Sequence, residues 1–221
     1  LREIVAGMME YSTNITAEIL GLAASGAGDI PASARMMEEW LRGQGIAGSY
    51  VFHDHSGLSP ASRMSALAMA QTIAGPGGAR DLRGAMKDIP LRDAKGKRID
   101  SPILIQAKTG TLNFVSNLAG YAQEDQRQLV FAIMATDEAR QSASQGKELP
   151  EGVMGWTKRT KAAQQGLIEG WFAAGLARPV MPQPLPIDAP LPLSMPGPAP
   201  KSVPQVLQFR PAGIPGTGIF R

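Results

Sequence analysis

The sequence predicts an α+β domain: an antiparallel sheet flanked by helices. Three observations carry that expectation. The first 75 residues show apolar side chains at helical spacing. Three apolar runs, 102–108, 114–122 and 129–136, then follow one another across turn signals. A last amphipathic stretch, 154–176, returns to the helical period. Helices first and strands in succession afterwards give an α+β arrangement rather than alternating βαβ units.

Taken in order, Ile4, Met8, Tyr11, Ile15, Ile19 and Leu22 are spaced by three and four. Asn14 and Thr16 interrupt the stripe with cap-type residues, so two helices are expected to meet near Ser12–Asn14. Gly26 and Gly28 end the second, and Gly21 is expected to weaken its last turns. A helix over 31–41 begins with Pro31 in its first turn and stops before Gly43 and Gly45. "GSYVFHDHSG" (48–57) reads as a short strand entering a turn, and 61–74 as a helix with Met64, Leu67, Ala70 and Ile73 on one face. Residues 75–101 read as loop around one short helix near 82–86. The three apolar runs form a meander, and the final helix is expected to bury Trp156, Ala163, Leu167, Trp171 and Phe172. Residues 178–221 hold most of the prolines and few charges, which predicts a disordered or polyproline II tail whose partner, if any, is unknown.

Composition narrows the function. With 221 residues and 43% hydrophobic content the chain can bury a sizeable core. A net charge of +3 without a clustered basic run argues against a nucleic-acid partner. There is no cysteine, which excludes disulfides and thiolate metal sites. No apolar run reaches about 18 residues, so no transmembrane segment is expected. The chain starts at Leu1 inside helical pattern, without an initiator methionine or a signal peptide. The natural N-terminus, with any targeting segment, is therefore expected to lie elsewhere.

The chemistry-bearing residues fall in three places. In "ILIQAKTGTLNFVSNLAGY" (103–121) a strand delivers Lys108 into Thr109-Gly110-Thr111. A protonated lysine beside two hydroxyls can receive a carboxylate. Gly110 lets another backbone lie close along the strand edge, where a peptide could add as an extra strand. In "YSTN", Ser12 and Asn14 can relay a proton and hold an amide, or simply cap a helix. In "DHSGLSP" (54–60), Asp54 reads as the head of a turn. His53 and His55 form an H-x-H pair, but without a third ligand no metal is implied.

Together these residues resemble one family. Ser12-x-Asn14, then D-x-S-G-L-S, then K-T-G, with "NITAE" after Ser12 and "NLAGY" at 117–121, resemble the class C low-molecular-mass penicillin-binding proteins. Those are D-alanyl-D-alanine carboxypeptidases and endopeptidases. The resemblance covers residues 1–177 and implies the C-terminal part of a penicillin-binding-protein/β-lactamase-like domain, incomplete at its N-terminus. It implies acyl transfer through a serine ester by three motifs, S-x-x-K, S-x-N and K-T-G. Lys108 would attract the substrate carboxylate, with Thr109 and Thr111 assisting. Ser12 would pass a proton to the leaving amine, Asn14 would hold a substrate amide, and the Thr111 N–H would form one arm of an oxyanion hole. The implied partners are peptidoglycan stem peptides and β-lactams, the implied location periplasmic or extracytoplasmic. No metal or organic cofactor is implied. The chain departs from the family pattern at His55, where glycine is usual, and at Pro60, where a basic residue is usual.

The nucleophile is missing. S-x-x-K should precede S-x-N, and no serine or lysine precedes Ser12. The literal match Ser144-Gln-Gly-Lys147 lies after K-T-G in a polar loop that does not fix a serine–lysine geometry, so it is rejected. The expectation is a fragment inactive alone, with apolar helix faces left uncovered. A β-lactamase or esterase of the same fold, and a non-catalytic binder of D-Ala termini, are the competing readings. An upstream in-frame S-x-x-K would favour the enzyme.

Overall fold

A computed structural model describes residues 1–179; the proline-rich stretch beyond Pro179 lies outside the described residues. The chain divides into two compact units, one ending at Lys87 and the next beginning at Asp88.

In the first unit, α1 (Arg2–Tyr11) and α2 (Asn14–Ser25) meet where the cap-type residues predict. Gly26 closes α2 at φ 69°, a left-handed C-cap that glycine adopts without a Cβ clash. Neither helix buries a single residue. Ile4, Tyr11, Ile15 and Ile19 stand 54%, 79%, 73% and 58% exposed, so most of the predicted apolar stripe faces outward in this unit. α3 (Ile30–Gly43) starts at Asp29, whose carboxylate accepts the Ala32 N–H at 2.7 Å, with Pro31 in the first turn. Its Leu41 joins Ile46 and Ala68 in a small core flanked by Trp40, Tyr50, Phe52 and Met64.

The segment 61–74 is not one helix. β1 (Tyr50–Val51) pairs antiparallel with β2 (Arg63–Met64), and α4 (Ala66–Thr72) begins only after Ser65, whose hydroxyl caps the Ala68 N–H. Asp54 is the physical reason. Its carboxylate accepts the Ser59 N–H at 2.7 Å and the Ser56 and Ser62 hydroxyls at 3.1 and 2.6 Å, folding the loop back on itself. That returns Arg63 to the side of Val51. After α4 the chain makes a π-helical turn through Pro76, which has no N–H for the regular ladder, and a 3₁₀ turn at Leu82–Ala85.

The second unit is built on a five-stranded sheet in the order β3–β4–β5–β6–β7. Its members are β3 (Lys87–Asp88), β4 (Leu104–Leu112), β5 (Val115–Glu124), β6 (Arg127–Thr136) and β7 (Arg178–Pro179). The central three are the predicted meander, paired antiparallel through two-residue turns. The flanking two were not foreseen: Arg178 and Pro179, assigned to the tail from sequence, pair with Gln128 and Arg127. A further helix, α5 (Glu138–Ala143), is capped by Asp137. The long helix α6 (Val153–Ala173) packs on the sheet with Ile168 and Phe172 buried and Leu167 and Trp171 partly so. Ala163, expected inside, is exposed; the adjacent Gln164 is buried instead. Its carboxamide donates to the Ser116 carbonyl at 2.8 Å, which satisfies a polar group that burial would otherwise penalise.

Candidate functional site

Ser12 and Asn14 occupy the corner between α1 and α2. Ser12 is the C-cap of α1 at φ 53°, ψ 47°, a left-handed conformation that costs a non-glycine residue about 1–2 kcal/mol. Thr13 is extended, and Asn14 opens α2. Both Ser12 and Asn14 are exposed.

The corner is anchored from one turn below. The Glu18 carboxylate accepts the backbone N–H groups of His55 at 3.1 Å and Ser56 at 2.9 Å. Partial burial pushes the Glu18 carboxyl up, but hydrogen bonds from the Ser56 hydroxyl and these two N–H groups outweigh it, and the Asp54 charge, and hold it below its ordinary value. Asp54 behaves alike: burial raises it, and the Ser62, Ser59, Ser56 and Leu58 hydrogen bonds lower it by more. His55 fills the space over Gly21, where a Cβ would come within 2.3 Å of its ring. Its Nε2 is 2.7 Å from the Ser33 hydroxyl, which also meets the Ser25 hydroxyl at 2.7 Å and the Gly21 carbonyl at 3.0 Å. His55 is thus a packing and hydrogen-bonding residue. Among the described residues no group of His, Asp or Glu could hold a metal.

Lys108, Thr109, Gly110 and Thr111 do not close their strand. β4 runs on to Leu112, so the four residues make up the second half of a nine-residue strand. On one side β4 pairs with β5 along its whole length, with Lys108 opposite Ala119, Gly110 opposite Asn117 and Thr111 opposite Ser116. On the other side β3 contributes only two residues, and the Ile89 N–H bonds the Ile105 carbonyl, near the start of β4. Among the described residues, no strand of comparable length lies beside the outer edge of β4 beyond that point.

Strand alternation sets Lys108 and Gly110 on one face, and Thr109 and Thr111 on the face that carries Leu118 and Ser116. A ligand reaches both sets only by lying along the edge. Lys108 is half-buried and its ammonium donates to the Thr109 carbonyl at 2.6 Å. Gly110 is exposed, and a Cβ there would meet only Asn117 at 3.7 Å, an ordinary contact.

The tip of this hairpin, Asn113-Phe114, is a feature that sequence reasoning missed. Phe114 sits at φ 56°, an outlier for a bulky residue, yet it is 3% exposed. Its ring packs edge-on against Trp156 with centroids 5.9 Å apart, and its carbonyl accepts the Asp137 N–H at 3.0 Å. The Asn113 amide donates to the Lys147 carbonyl at 2.8 Å. These contacts fix the turn that sets the register of Lys108 through Thr111. The available signal was a two-residue gap between alternating runs without the usual glycine. Ser144, in the S-x-x-K match, is the C-cap of α5; it is 5% exposed and its hydroxyl donates to the Gln141 carbonyl at 2.7 Å.

Both motif regions fall inside one family match. The chain belongs to the D-Ala-D-Ala carboxypeptidase 3 (S13) family, whose model matches residues 1–160. It is 28% identical over 150 residues to a D-alanyl-D-alanine carboxypeptidase of Actinomadura sp. (strain R39). The alignment takes in 61% of this chain but only 28% of that relative's length.

Proposed function

We propose that this chain carries two of the three motifs of a serine-type D-Ala-D-Ala carboxypeptidase/endopeptidase, acting on peptidoglycan stem peptides in a periplasmic or extracytoplasmic location and acylated by β-lactams. The residues through Pro179 would be the C-terminal part of its penicillin-binding-type domain, since Arg178 and Pro179 pair with β6, and the proline-rich residues beyond them a tail. The nucleophile would come from an S-x-x-K segment outside these residues. Its hydroxyl oxygen attacks the carbonyl carbon of the D-Ala-D-Ala bond, the C–N bond breaks, and D-alanine leaves as the amine. Ser12 hands that amine its proton and Asn14 holds a substrate amide. Water then hydrolyses the ester and restores the serine. Lys108 holds the free carboxylate by a charge-assisted hydrogen bond, with Thr109 and Thr111 alongside and the Thr111 N–H turned to the oxyanion.

One observation carries the reading: Gly110. The fold itself makes no demand for glycine there, since a Cβ would touch only Asn117 at an ordinary distance. A residue left bare near a lysine, on a strand whose outer edge lacks a long partner among the described residues, suits an incoming peptide backbone. Family membership and the left-handed Ser12 at the other motif support it; backbone strain of that kind concentrates at functional sites.

The test is acylation by a fluorescent penicillin in a form of the protein that includes an S-x-x-K segment. Lys108→Ala is expected to slow labelling about 10–100-fold, the loss of one hydrogen bond to a charged group, with the circular dichroism spectrum unchanged. Undiminished labelling would remove Lys108 from the site.

A further inference from the structure

Residues 91–99 of the second unit fold into a small hairpin closed by an Arg92–Arg98 bridge. The Asp93 N–H donates to the Lys97 carbonyl at 2.9 Å, and the Ile99 N–H to the Leu91 carbonyl at 3.0 Å. Arg92 and Arg98 are therefore a non-hydrogen-bonded pair, the closer kind, with two cations side by side on one face. Like charges placed so oppose folding. The hairpin is nevertheless held at three points. Leu91 roots it in the main core. The Gln165 carboxamide of α6 donates to the Arg92 carbonyl at 3.0 Å and accepts the Arg92 N–H at 2.8 Å. At the tip the Asp93 carboxylate accepts the Lys95 and Lys97 N–H groups, both at 2.9 Å, and Gly96 takes the left-handed turn position at φ 84°. The acid of the hairpin is thus occupied by its own backbone. The side chains of Lys95, Lys97 and Arg98 bond nothing among the described residues, and Arg92 uses one donor on the Gly96 carbonyl. All four cations are exposed.

We propose that this hairpin is a docking surface for an anionic phospholipid layer, a role separate from the peptide chemistry proposed above. In sequence its cations are interrupted by Asp93, Ala94 and Gly96, yet residues 92–98 hold four cations and one anion. That balance equals the +3 of the whole chain, so the other residues sum to zero and the positive field is concentrated here. Phosphodiester headgroups are its complement: the guanidinium forks bond phosphate oxygens in pairs, and the two ammonium groups add compact charges. The shape selects a layer over a thread. Arg92 and Arg98 share one face, Lys97, next in the strand, turns to the other, and Lys95 lies in the turn. A linear polyanion lies along one side of such a loop, whereas headgroups surround it. No large apolar side chain stands between Arg92 and Arg98, so the contact is with headgroups rather than acyl chains, and salt screens it. The fold sets the backbone of these cations beforehand, which leaves little of it to be ordered on docking.

The experiment is vesicle flotation of the 221-residue chain, in which self-associated protein sinks and lipid-bound protein rises. One set of vesicles holds equal parts of phosphatidylglycerol and phosphatidylcholine, the other phosphatidylcholine alone. The chain is expected to rise with the first set only, and to be released when salt is raised from about 50 to about 300 mM. Lys95→Gln with Lys97→Gln should weaken binding about 30-fold, each cation near an anionic surface being worth about fivefold. Those side chains bond nothing in the fold, so the melting midpoint should stay unchanged. Arg35→Gln with Arg80→Gln removes the same charge from exposed positions in the first unit and should weaken binding less than about threefold. Equal losses from the two pairs, or no loss from the lysine pair, would overturn the proposal. So would equal flotation with phosphatidylcholine alone, which would assign the binding to the apolar faces of α1 and α2. If soluble polyphosphate at the same phosphate concentration strips the chain from the vesicles, the partner is a linear polyanion and the lipid-layer reading fails.

Discussion

Gly21 and Gly110 are glycine for different reasons, and the difference is measurable. At Gly21 a methyl group would collide with the His55 imidazole at 2.3 Å, in the middle of a helix that otherwise runs unbroken. The sequence alone suggests a weak point in α2 there, because nothing local reveals that a histidine from a distant loop occupies the gap. Gly21→Ala is expected to cost about 1–3 kcal/mol, as overpacking does, read as a lower melting midpoint. Gly110→Ala should leave the midpoint within about 0.5 kcal/mol of the parent while reducing acylation by penicillin in an S-x-x-K-containing form. Equal destabilisation by the two changes would make Gly110 structural and undercut the site.

At the level of elements, three helices were legible from local punctuation: Pro31 in the first turn of α3, Gly26 after α2, and the Ser12–Asn14 break between α1 and α2; α5 was not, although Asp137 caps it. β2 was not legible, because two residues become a strand only through a partner across a loop that Asp54 organises. That loop and α2 are tied by Glu18, and the tie has a pH signature. Both carboxyls titrate lower in the folded chain than their ordinary values of 4.5 and 3.8. The unfolded chain therefore binds more protons in that window, and the stabilisation present at neutral pH is lost as pH falls through the lowered values. Glu18→Gln should flatten the acid limb of a melting-temperature profile taken from pH 6 to 3; an identical limb would show that Glu18 contributes nothing there. The outward faces of α1 and α2 carry a second expectation. With Ile15 and Ile19 more than half exposed, the 221-residue chain should self-associate in sedimentation velocity, and Ile15→Lys with Ile19→Lys should shift it toward monomer. A monomeric parent that melts cooperatively and reversibly would contradict this.

For the molecule as a whole, the α+β class and the meander could be read from periodicity. The resemblance to D-alanyl-D-alanine carboxypeptidases came from motif order, and the family match over residues 1–160 agrees with that family. The details of the site were out of reach for a physical reason. Lys108 through Thr111 continue β4 because of a turn two residues later, and that turn is held by Trp156, Asp137 and Lys147, all far along the chain. The buried, carbonyl-bonded hydroxyl of Ser144 leads to one more expectation: the 221-residue chain takes no covalent penicillin label. An adduct mapped to Ser144 by mass spectrometry would overturn it.

The tight Asn113-Phe114 connection has a further consequence for how the family can vary. Side chains along a strand switch sides at every step, so deleting one residue from this turn would send Lys108 into the hydrocarbon interior and bring Ala107 outside. Length changes at this bend should therefore be tolerated only in pairs, however freely its letters are exchanged.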